Sequence, residues 1–320
     1  MRVLSGIQPT GFPHLGNYFG MMKPSVELQN AGEAFYFIAD YHSLTTSPEP
    51  QELRRRVIET ATDFLACGLD VSKTVFFRQS DVPQVAELTW ILNCVTPVGL
   101  LERCHSYKDK IAHGKPANNG LFSYPVLMAS DILICKSTTV PVGKDQKQHV
   151  EVARDIAQRF NNQYGEILVL PSPMIRDEVA IVPGTDGQKM SKSYGNTIEI
   201  FGEEKKLRKK FMSIITDSKP VEEAKDPETC PVFALYKLFA TPAQVEEMAG
   251  RFRAGGLAYG VAKQELFEMF WTQFAPLRQR RGEIAADSGY VESVLKAGGE
   301  KARAIAETTM AEVRHAVGLR

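Results

Sequence analysis

The chain has 320 residues, 43% of them hydrophobic, which is enough to bury a core in two domains. Its 38 Lys and Arg residues balance 38 Asp and Glu residues, so no overall field attracts an anionic partner and any nucleic-acid surface must be local. The amino-terminal segment lacks an apolar signal core, and no stretch approaches the roughly 18 apolar residues of a membrane span. Five widely spaced cysteines, several within apolar runs, form no zinc pattern and predict reduced, buried thiols. We therefore expect a cytoplasmic protein with no membrane partner and no dedicated metal site.

The first half of the chain alternates short apolar runs with longer amphipathic ones. Strands are predicted at 2–7, 34–39, 74–79 and 137–142, and helices at 16–30, 51–68 and 83–95. Strands that alternate with helices of this length pair in parallel through crossovers, which predicts a doubly wound, Rossmann-like α/β sheet. In such a sheet the ligand crevice lies beyond the carboxyl ends of the strands.

After about residue 195 the pattern changes to helices alone. We therefore predict a catalytic α/β domain over residues 1–194 and an all-helical domain over 195–320, with the last helix free to pack back on the first domain. The sequence "WILNCVTPVGLLERC" (90–104) is more apolar than one covered helix face requires. It is typical either of core or of an interface between subunits.

The sequence "GTDGQKMSKSYGN" (184–196) carries Lys189 and Lys192 between glycines. Gly184, Gly187 and Gly195 weaken regular structure, so the lysines are expected on a mobile loop. Taken alone, such a segment is as often solvated surface as a functional element.

The sequence "PTGFPHLGN" (9–17) runs directly into a predicted helix. Glycines such as Gly11 and Gly16 let a backbone approach phosphate, and the free amides at a helix start favour negative charge. An ordinary strand-to-helix turn with His14 at the surface is the alternative.

The sequence "LFSYPVLMASDILIC" (121–135) predicts a helix that starts near Tyr124, with Ser123 as its cap and Pro125 in its first turn. Tyr124, Met128 and Asp131 then share one face. A carboxylate among apolar neighbours is costly to bury without a donor. That donor could be the ring N–H or O–H of an aromatic substrate, or a backbone amide or arginine of the protein.

Two short segments resemble the signatures of the class I aminoacyl-tRNA synthetases. They are "HLGN" (14–17) and "KMSKS" (189–193), in the order and at about the separation typical of that class. The sequences "SGIQPTG" (5–11), "DYHS" (40–43), "YPVLMASDIL" (124–133), "VGKDQKQH" (142–149) and "TDS" (216–218) resemble the tryptophanyl-tRNA synthetase family. The resemblance implies a ligase that activates L-tryptophan with ATP, assisted by Mg²⁺, and then charges tRNA(Trp) as a homodimer.

The resemblance also implies a role for each matching residue. Asp131 would accept the indole N–H, with Met128, His42, Leu4 and Val140 around the ring and Tyr124 and Gln146 at the α-amino group. The ATP contacts would be Gln8, Pro9, Thr10, His14, Gly16, Asn17, Gly143, Lys144, Asp145, Val182, Met190, Ser191 and Ser193. Lys189, Lys192, Lys110, His14 and Asn17 would act in catalysis, the first two on the leaving pyrophosphate. Lys144 departs from the family pattern, which often has an acidic residue there.

Three alternatives remain open from the sequence, one of them a nucleotidyltransferase of similar fold that acts on no tRNA and would have no need of the helical half. A tyrosyl enzyme would need partners for a ring hydroxyl, and a specialised or regulatory paralogue would keep the fold without its housekeeping role. In the helical half, the candidate phosphate contacts for tRNA are Lys205, Lys206, Arg208, Lys209, Lys210, Arg278, Arg280 and Arg281.

Overall fold

The structure is a computed structural model and describes residues 1–104, 118–143, 146–175, 182–287 and 289–319. The chain divides into two compact units. The sheet unit comprises residues 1–11, 25–177 and 286–320, and the helical unit comprises residues 12–24 and 178–285.

The sheet unit is built on five parallel strands in the order β3-β2-β1-β4-β5. The strands are β1 Arg2–Ile7, β2 Glu33–Ile38, β3 Thr74–Arg78, β4 Thr139–Val142 and β5 Ser172–Ile175. The predicted doubly wound parallel sheet is thus confirmed. The edge strand β5 is not among the predicted strands, because it is short and carries Pro173, which a central strand would exclude.

The chain reverses its strand order at β1, which lies between β2 and β4. At such a switch point the connections leave the sheet in opposite directions and open a crevice beyond the carboxyl ends of the two strands. Gln8 directly follows β1, and Gly143 directly follows β4. Two of the predicted nucleotide contacts therefore lie at this edge of the sheet.

Within the described residues, helices of regular form follow the order α1 Leu15–Asn17, α2 Lys23–Leu28, α3 Asp40–Ser43, α4 Pro50–Ala66, α5 Gln84–Val95, α6 Val98–Glu102, α7 Asn119–Ile134, α8 Lys147–Tyr164, α9 Glu204–Met212, α10 Pro231–Tyr236, α11 Pro242–Ala254, α12 Tyr259–Gln273, α13 Ala275–Ala286 and α14 Tyr290–Val317. A π-helical turn spans Tyr18–Met22, and 3-10 turns span Leu44–Thr46, Gln79–Asp81 and Lys192–Tyr194. None of the helices in these ranges is long and apolar enough to cross a membrane.

The start of α7 was predicted wrongly. The helix begins at Asn119, and Asn118 caps it by accepting a hydrogen bond from the Leu121 amide at 2.9 Å. Asn is among the strongest N-cap residues, so this cap sets the boundary five residues earlier than the proline suggested. Pro125 consequently lies inside the helix.

One cysteine also differs from the prediction. All five thiols are free, and four of them are buried, but Cys94 on α5 is exposed. Trp90, one turn earlier on the same helix, is 72% exposed. The apolar run over 90–104 therefore covers the core on one face of α5 and presents large apolar groups on the other.

The last helix packs on the sheet through two glycines. A Cβ on Gly298 would lie 1.8 Å from the Phe76 carbonyl oxygen of β3, and a Cβ on Gly299 would lie 2.7 Å from Cβ of Asp81. The helix is also held by the ion pairs of Arg78 with Glu292 at 2.7 Å and of Lys136 with Glu312 at 2.7 Å. These contacts place residues 286–320 in the sheet unit.

We expect Gly298→Ala to destabilise the protein by about 1–3 kcal/mol, because the added methyl group has to push α14 off the backbone of β3. Thermal unfolding would measure the loss. Gly250→Ala on α11 is the matched control: no atom lies within 4 Å of its added Cβ, so it should stabilise by about 0.5–1 kcal/mol through helix propensity. Equal melting temperatures for the two variants would contradict the close packing.

The helical unit includes a segment from the amino-terminal part of the chain. The Tyr18 ring lies 4.7 Å from that of Phe274, and the Phe19 ring lies 5.4 Å from that of Phe239. Because these rings share one aromatic core, residues 12–24 group with residues 178–285. This division assigns residues 12–24 and 178–194 to the helical unit, whereas the sequence analysis assigned them to the α/β domain.

Candidate active site

Asp131 lies on α7 with only 4% of its surface exposed. Its Oδ2 is 3.0 Å from His42 Nε2, and Gln79 Nε2 donates to Oδ1 at 2.8 Å and to Oδ2 at 2.9 Å. Burial raises the pKa of Asp131, and the hydrogen bonds from His42 and Gln79 oppose that rise. The buried carboxylate expected from the sequence therefore has two side-chain partners, neither of them the backbone amide or arginine that the sequence suggested.

His42, predicted to line the ring pocket, contacts the Asp131 carboxylate. It lies on α3 with 7% of its surface exposed and orients one oxygen of Asp131. Its ring is 6.4 Å, centroid to centroid, from the ring of Tyr124. The carboxylate, the imidazole and the phenol are thus neighbours within the sheet unit.

The other predicted tryptophan contacts are divided between core and surface. Leu4 and Val140 are both 3% exposed and belong to the sheet core, and Met128 packs against that core from a half-buried position. The Tyr124 hydroxyl lies 2.8 Å from His149 Nε2. Gln146 is exposed at the start of α8, where its amide is available to a polar group of a ligand.

The predicted nucleotide contacts of the sheet unit follow β1 and β4. Gln8 and Thr10 are exposed and Pro9 is buried, with the Thr10 amide donating to the Gln8 carbonyl at 2.9 Å. Gly143 is exposed after β4. Three further predicted positions, Lys110, Lys144 and Asp145, lie outside the described residues.

In the helical unit, His14 is 6% exposed and caps the short helix α1. Burial, followed by the charge of Lys192, lowers the pKa of His14 to about 4, so the ring is neutral at pH 7. Its Nδ1 has no hydrogen-bond partner among the described residues. A Cβ on Gly16 would lie 2.9 Å from this ring, so glycine is needed to hold the imidazole against the helix start.

Residues 184–196, which carry Lys189 and Lys192, are called the Lys loop below. The loop that carries "HLGN" pairs with the chain that follows the Lys loop. The Leu15 amide donates to the Ile198 carbonyl at 2.9 Å, and the Ile200 amide donates to the Pro13 carbonyl at 3.1 Å. The Asn17 Oδ1 accepts from the His14 amide at 3.1 Å. The first signature segment is therefore joined by main-chain hydrogen bonds to residues 198–200, which follow the second signature in the chain.

The buried side chain of Asn196 holds the Lys loop through hydrogen bonds. Asn196 is 2% exposed, and its side chain accepts from the Ser191 amide at 2.8 Å and donates to the Lys189 carbonyl at 3.1 Å and to Asp186 Oδ1 at 2.7 Å. A Cβ on Gly184 would lie 2.3 Å from the Asn196 amide group. Because of this close contact, the loop has a defined path despite its glycines.

The side chains of the Lys loop separate into buried and exposed groups. Met190 and Val182 are buried, and the Met190 amide donates to the Val182 carbonyl at 2.9 Å. Lys189, Lys192 and Ser193 are exposed, and the Ser191 and Ser193 hydroxyls lie 2.8 Å apart. The loop thus offers two ammonium groups and two hydroxyls beside a neutral imidazole, an arrangement suited to a polyphosphate.

Sequence reasoning missed Gln79 and Asn196. Gln79 is wholly buried directly after β3, and a polar residue at the carboxyl end of a buried parallel strand is the signal that could have found it. Asn196 stands at the end of the glycine-bounded loop, where an Asn side chain commonly satisfies turn backbone. Within the described residues, no group of three or more His, Cys, Asp or Glu could hold a metal ion.

The chain is similar to proteins of one family along its whole length. The family model for class I tRNA synthetases of the W and Y type matches residues 1–275. A tryptophan–tRNA ligase from Rhodopirellula baltica is 54% identical over 320 residues, and the match covers 100% of both chains. A tryptophan–tRNA ligase from Fusobacterium nucleatum is 53% identical over 319 residues, covering 99% of this chain and 98% of that one.

Solved structures agree with this likeness. The crystal structure of the tryptophanyl-tRNA synthetase from Campylobacter jejuni, complexed with ADP and tryptophan, superposes with a TM-score of 0.93 at 48% identity and covers 100% of both chains. The tryptophanyl-tRNA synthetase from Mycoplasma pneumoniae reaches a TM-score of 0.85 at 31% identity, covering 100% of this chain and 98% of that one. These full-length matches show that the chain belongs to the class I tRNA synthetases for tryptophan and tyrosine, within their tryptophan–tRNA ligase branch.

Proposed function

We propose that the chain activates L-tryptophan with ATP and charges tRNA(Trp). In the first step a carboxylate oxygen of tryptophan forms a bond to the α-phosphorus of ATP, the bond to the β-phosphate breaks, and pyrophosphate leaves. In the second step a hydroxyl at the end of the tRNA attacks the carbonyl carbon of the adenylate, and AMP leaves. Both steps use one bound intermediate, tryptophanyl-adenylate.

The buried Asp131 is the observation that supports tryptophan as the amino acid. A carboxylate has about four acceptor positions. Among the described residues, Gln79 contacts both oxygens and His42 contacts Oδ2, which leaves one acceptor position on Oδ1. An indole offers a single N–H donor and needs only one acceptor. Since a buried acceptor without its donor is costly, such a site rejects analogues that lack the N–H.

The Lys loop supports the chemistry of the first step. Charge grows on the departing pyrophosphate, and cations placed where that charge develops lower the barrier more than groups that only hold ATP. Lys189 and Lys192 would supply those cations, with Lys110 as a further candidate. His14, neutral at pH 7 because of its lowered pKa, and Asn17 would contact the phosphates as hydrogen-bond donors.

Magnesium would enter with the nucleotide. Mg²⁺ keeps several waters and binds phosphate oxygens with few protein ligands, which agrees with the lack of a carboxylate cluster in the described ranges. The ion would neutralise charge on the phosphates of ATP.

Amino-acid-dependent exchange of pyrophosphate with ATP tests the proposal. We expect exchange with L-tryptophan and none above background with L-tyrosine at the same concentration. Exchange with tyrosine alone would identify a tyrosyl enzyme, and exchange with neither would point to a paralogue without charging activity. Charging of a tRNA(Trp) transcript tests the second step.

The helical unit offers a basic surface for the tRNA. Lys205 and Lys209 are exposed one turn apart on α9. Two other predicted contacts already have partners, since Lys206 pairs with Glu203 at 3.1 Å and Arg208 pairs with Glu204 at 3.0 Å. Lys205 and Lys209 are therefore the better candidates for phosphate contacts.

Arginine planes stacked on aromatic rings extend this surface. The Arg208 guanidinium lies 4.3 Å from the Phe267 ring centroid, Phe267 stacks on Trp271 at 5.8 Å, and Arg278 lies 3.5 Å above Trp271. Unpaired RNA bases stack on such planes. We place the tRNA on this face of the helical unit.

We expect the double change Lys205→Glu and Lys209→Glu to raise the KM for tRNA about tenfold and to reduce the salt dependence of tRNA binding by about one unit per lost phosphate contact. Tryptophan-dependent pyrophosphate exchange should not change. The charge-matched control is Lys296→Glu with Lys301→Glu, both exposed on α14. An equal effect of both doubles would mean that net charge, and not this surface, binds the tRNA.

A homodimer is also part of the proposal. The exposed face of α5 carries Trp90, and Val98 on α6 is 61% exposed; contiguous exposed apolar groups are typical of an interface, and we infer that these two belong to one. Sedimentation of the protein and of a Trp90→Glu variant tests the assembly, and a monomeric unsubstituted protein would contradict it.

The five free thiols and a role in protein synthesis support a cytoplasmic location.

A further inference from the structure

Gln79 is wholly buried, and its side-chain amide makes hydrogen bonds at both ends. Its Oε1 accepts from the Tyr41 amide at 3.0 Å and from the His42 amide at 3.4 Å. Its Nε2 donates to both oxygens of Asp131, at 2.8 and 2.9 Å. The residue therefore bridges α3 and the carboxylate of α7.

The orientation of this amide follows from the backbone. An N–H group of the main chain can only donate, so the Gln79 atom that faces Tyr41 and His42 has to be the oxygen. The NH₂ group consequently faces Asp131, and its nitrogen lies at nearly the same distance from the two carboxylate oxygens, which share it as a donor. A donor shared by both oxygens matches an ionised carboxylate and holds its plane in one position.

The turn that carries Gln79 is itself held on two sides. Asp40 accepts hydrogen bonds from the Ser80 amide, at 3.0 Å, and from the Ser80 hydroxyl. On the other side, Arg303 of α14 donates to the Asp81 carbonyl at 3.2 Å, and Gly299 packs against the Asp81 side chain. Gln79 therefore has little freedom to follow Asp131 if the carboxylate moves.

We propose that Gln79 is a positioning residue that sets the specificity of the amino-acid site, because it fixes the Asp131 carboxylate with one acceptor position of Oδ1 left for the N–H of an indole. The proposal rests on the proposed function and extends it to a residue that does not itself touch the substrate in this scheme. It concerns how Asp131 recognises the ring N–H, not how ATP binds.

Protonation distinguishes this role from simple packing. The titratable groups that act on Asp131 are His42 and Asp40 of α3. The charge of Asp131 in turn helps to raise the pKa of Cys135, which lies one turn later in the chain. Burial raises the pKa of Asp131, and the Gln79 hydrogen bonds lower it. Without this donor the carboxylate would take up a proton more readily, and a protonated carboxyl is a poorer acceptor for the indole.

The test is tryptophan-dependent pyrophosphate exchange by Gln79→Met and Gln79→Glu between about pH 6 and 9, with tryptophan and with its benzothienyl analogue, which lacks the ring N–H. For Gln79→Met we expect about a 10- to 100-fold higher KM for tryptophan and an unchanged KM for ATP. The preference for tryptophan over the analogue should fall in the same proportion, and the KM for tryptophan should fall as pH rises and Asp131 ionises.

Gln79→Glu should show the opposite dependence on pH. At low pH the new carboxyl shares a proton with Asp131 and still donates one hydrogen, whereas at high pH two adjacent carboxylates repel each other. The KM for tryptophan should therefore rise with pH. His42 is common to all forms, so the difference between the profiles belongs to position 79.

Gln84→Met is the matched control, because Gln84 donates to Glu307 at 3.0 Å and not to Asp131; it should keep the tryptophan preference and the pH profile. A preference for tryptophan over the analogue that is unchanged in Gln79→Met and Gln79→Glu would overturn the inference, as would parallel pH profiles. If Gln79→Met does not fold, Gln79→Glu decides by itself. A failure of the unsubstituted protein to exchange with tryptophan would instead overturn the proposed function.

Discussion

Asp131→Ala should raise the KM for tryptophan by about 10³-fold or more while the KM for ATP stays within about twofold, because only the acceptor for the indole N–H is lost. Steady-state pyrophosphate exchange, with each substrate varied in turn, measures the two constants. The same variant should lose most of its preference for tryptophan over the analogue without a ring N–H. An unchanged tryptophan dependence would refute the assignment of Asp131.

The substitution also has a cost in stability. It leaves the Gln79 amide and the His42 ring without their buried acceptor, and an unsatisfied buried donor costs about 1–3 kcal/mol. We therefore expect a lower melting temperature as well. Asp131→Asn, which keeps the volume of the side chain and one acceptor oxygen, separates the two effects: it should fold better than the alanine variant and still bind tryptophan poorly.

Lys192→Ala should lower the rate of adenylate formation by about 10²- to 10³-fold, with a much smaller change in the KM for ATP, because its charge is needed most when pyrophosphate departs. Rapid-quench single turnovers measure the chemical step directly. Lys192→Arg keeps the charge and should recover part of the rate.

The control for Lys192 is Lys301→Ala, an exposed lysine of α14 that should have no effect. Equal losses in rate and in ATP affinity would show that Lys192 binds ground-state and transition-state phosphates alike. The charge of Lys192 also contributes to the lowered pKa of His14. Its removal should therefore let the His14 pKa rise, which an NMR titration of the imidazole would detect.

Many residues of the candidate site could be predicted from the sequence. The Lys loop and "HLGN" carry residue types whose chemistry suits phosphate, and "HLGN" follows the first strand closely in the chain. Asp131 stood out because a carboxylate in an apolar helix has to find a donor. The identity of that donor was not accessible, since Gln79 lies 52 positions away along the chain, on a turn whose place depends on strand pairing.

The sequence by itself determined the class of the fold and the first strand to the residue, because apolar periodicity and local turn residues act over a few positions. Only the tertiary structure decided which helix covers β3, which segments share the aromatic core of the helical unit, and how Asn196 and Gln79 hold the loop and the carboxylate. An amphipathic pattern states that a face is buried but not against what. Those partners are selected by close packing and hydrogen bonding between residues far apart in the chain.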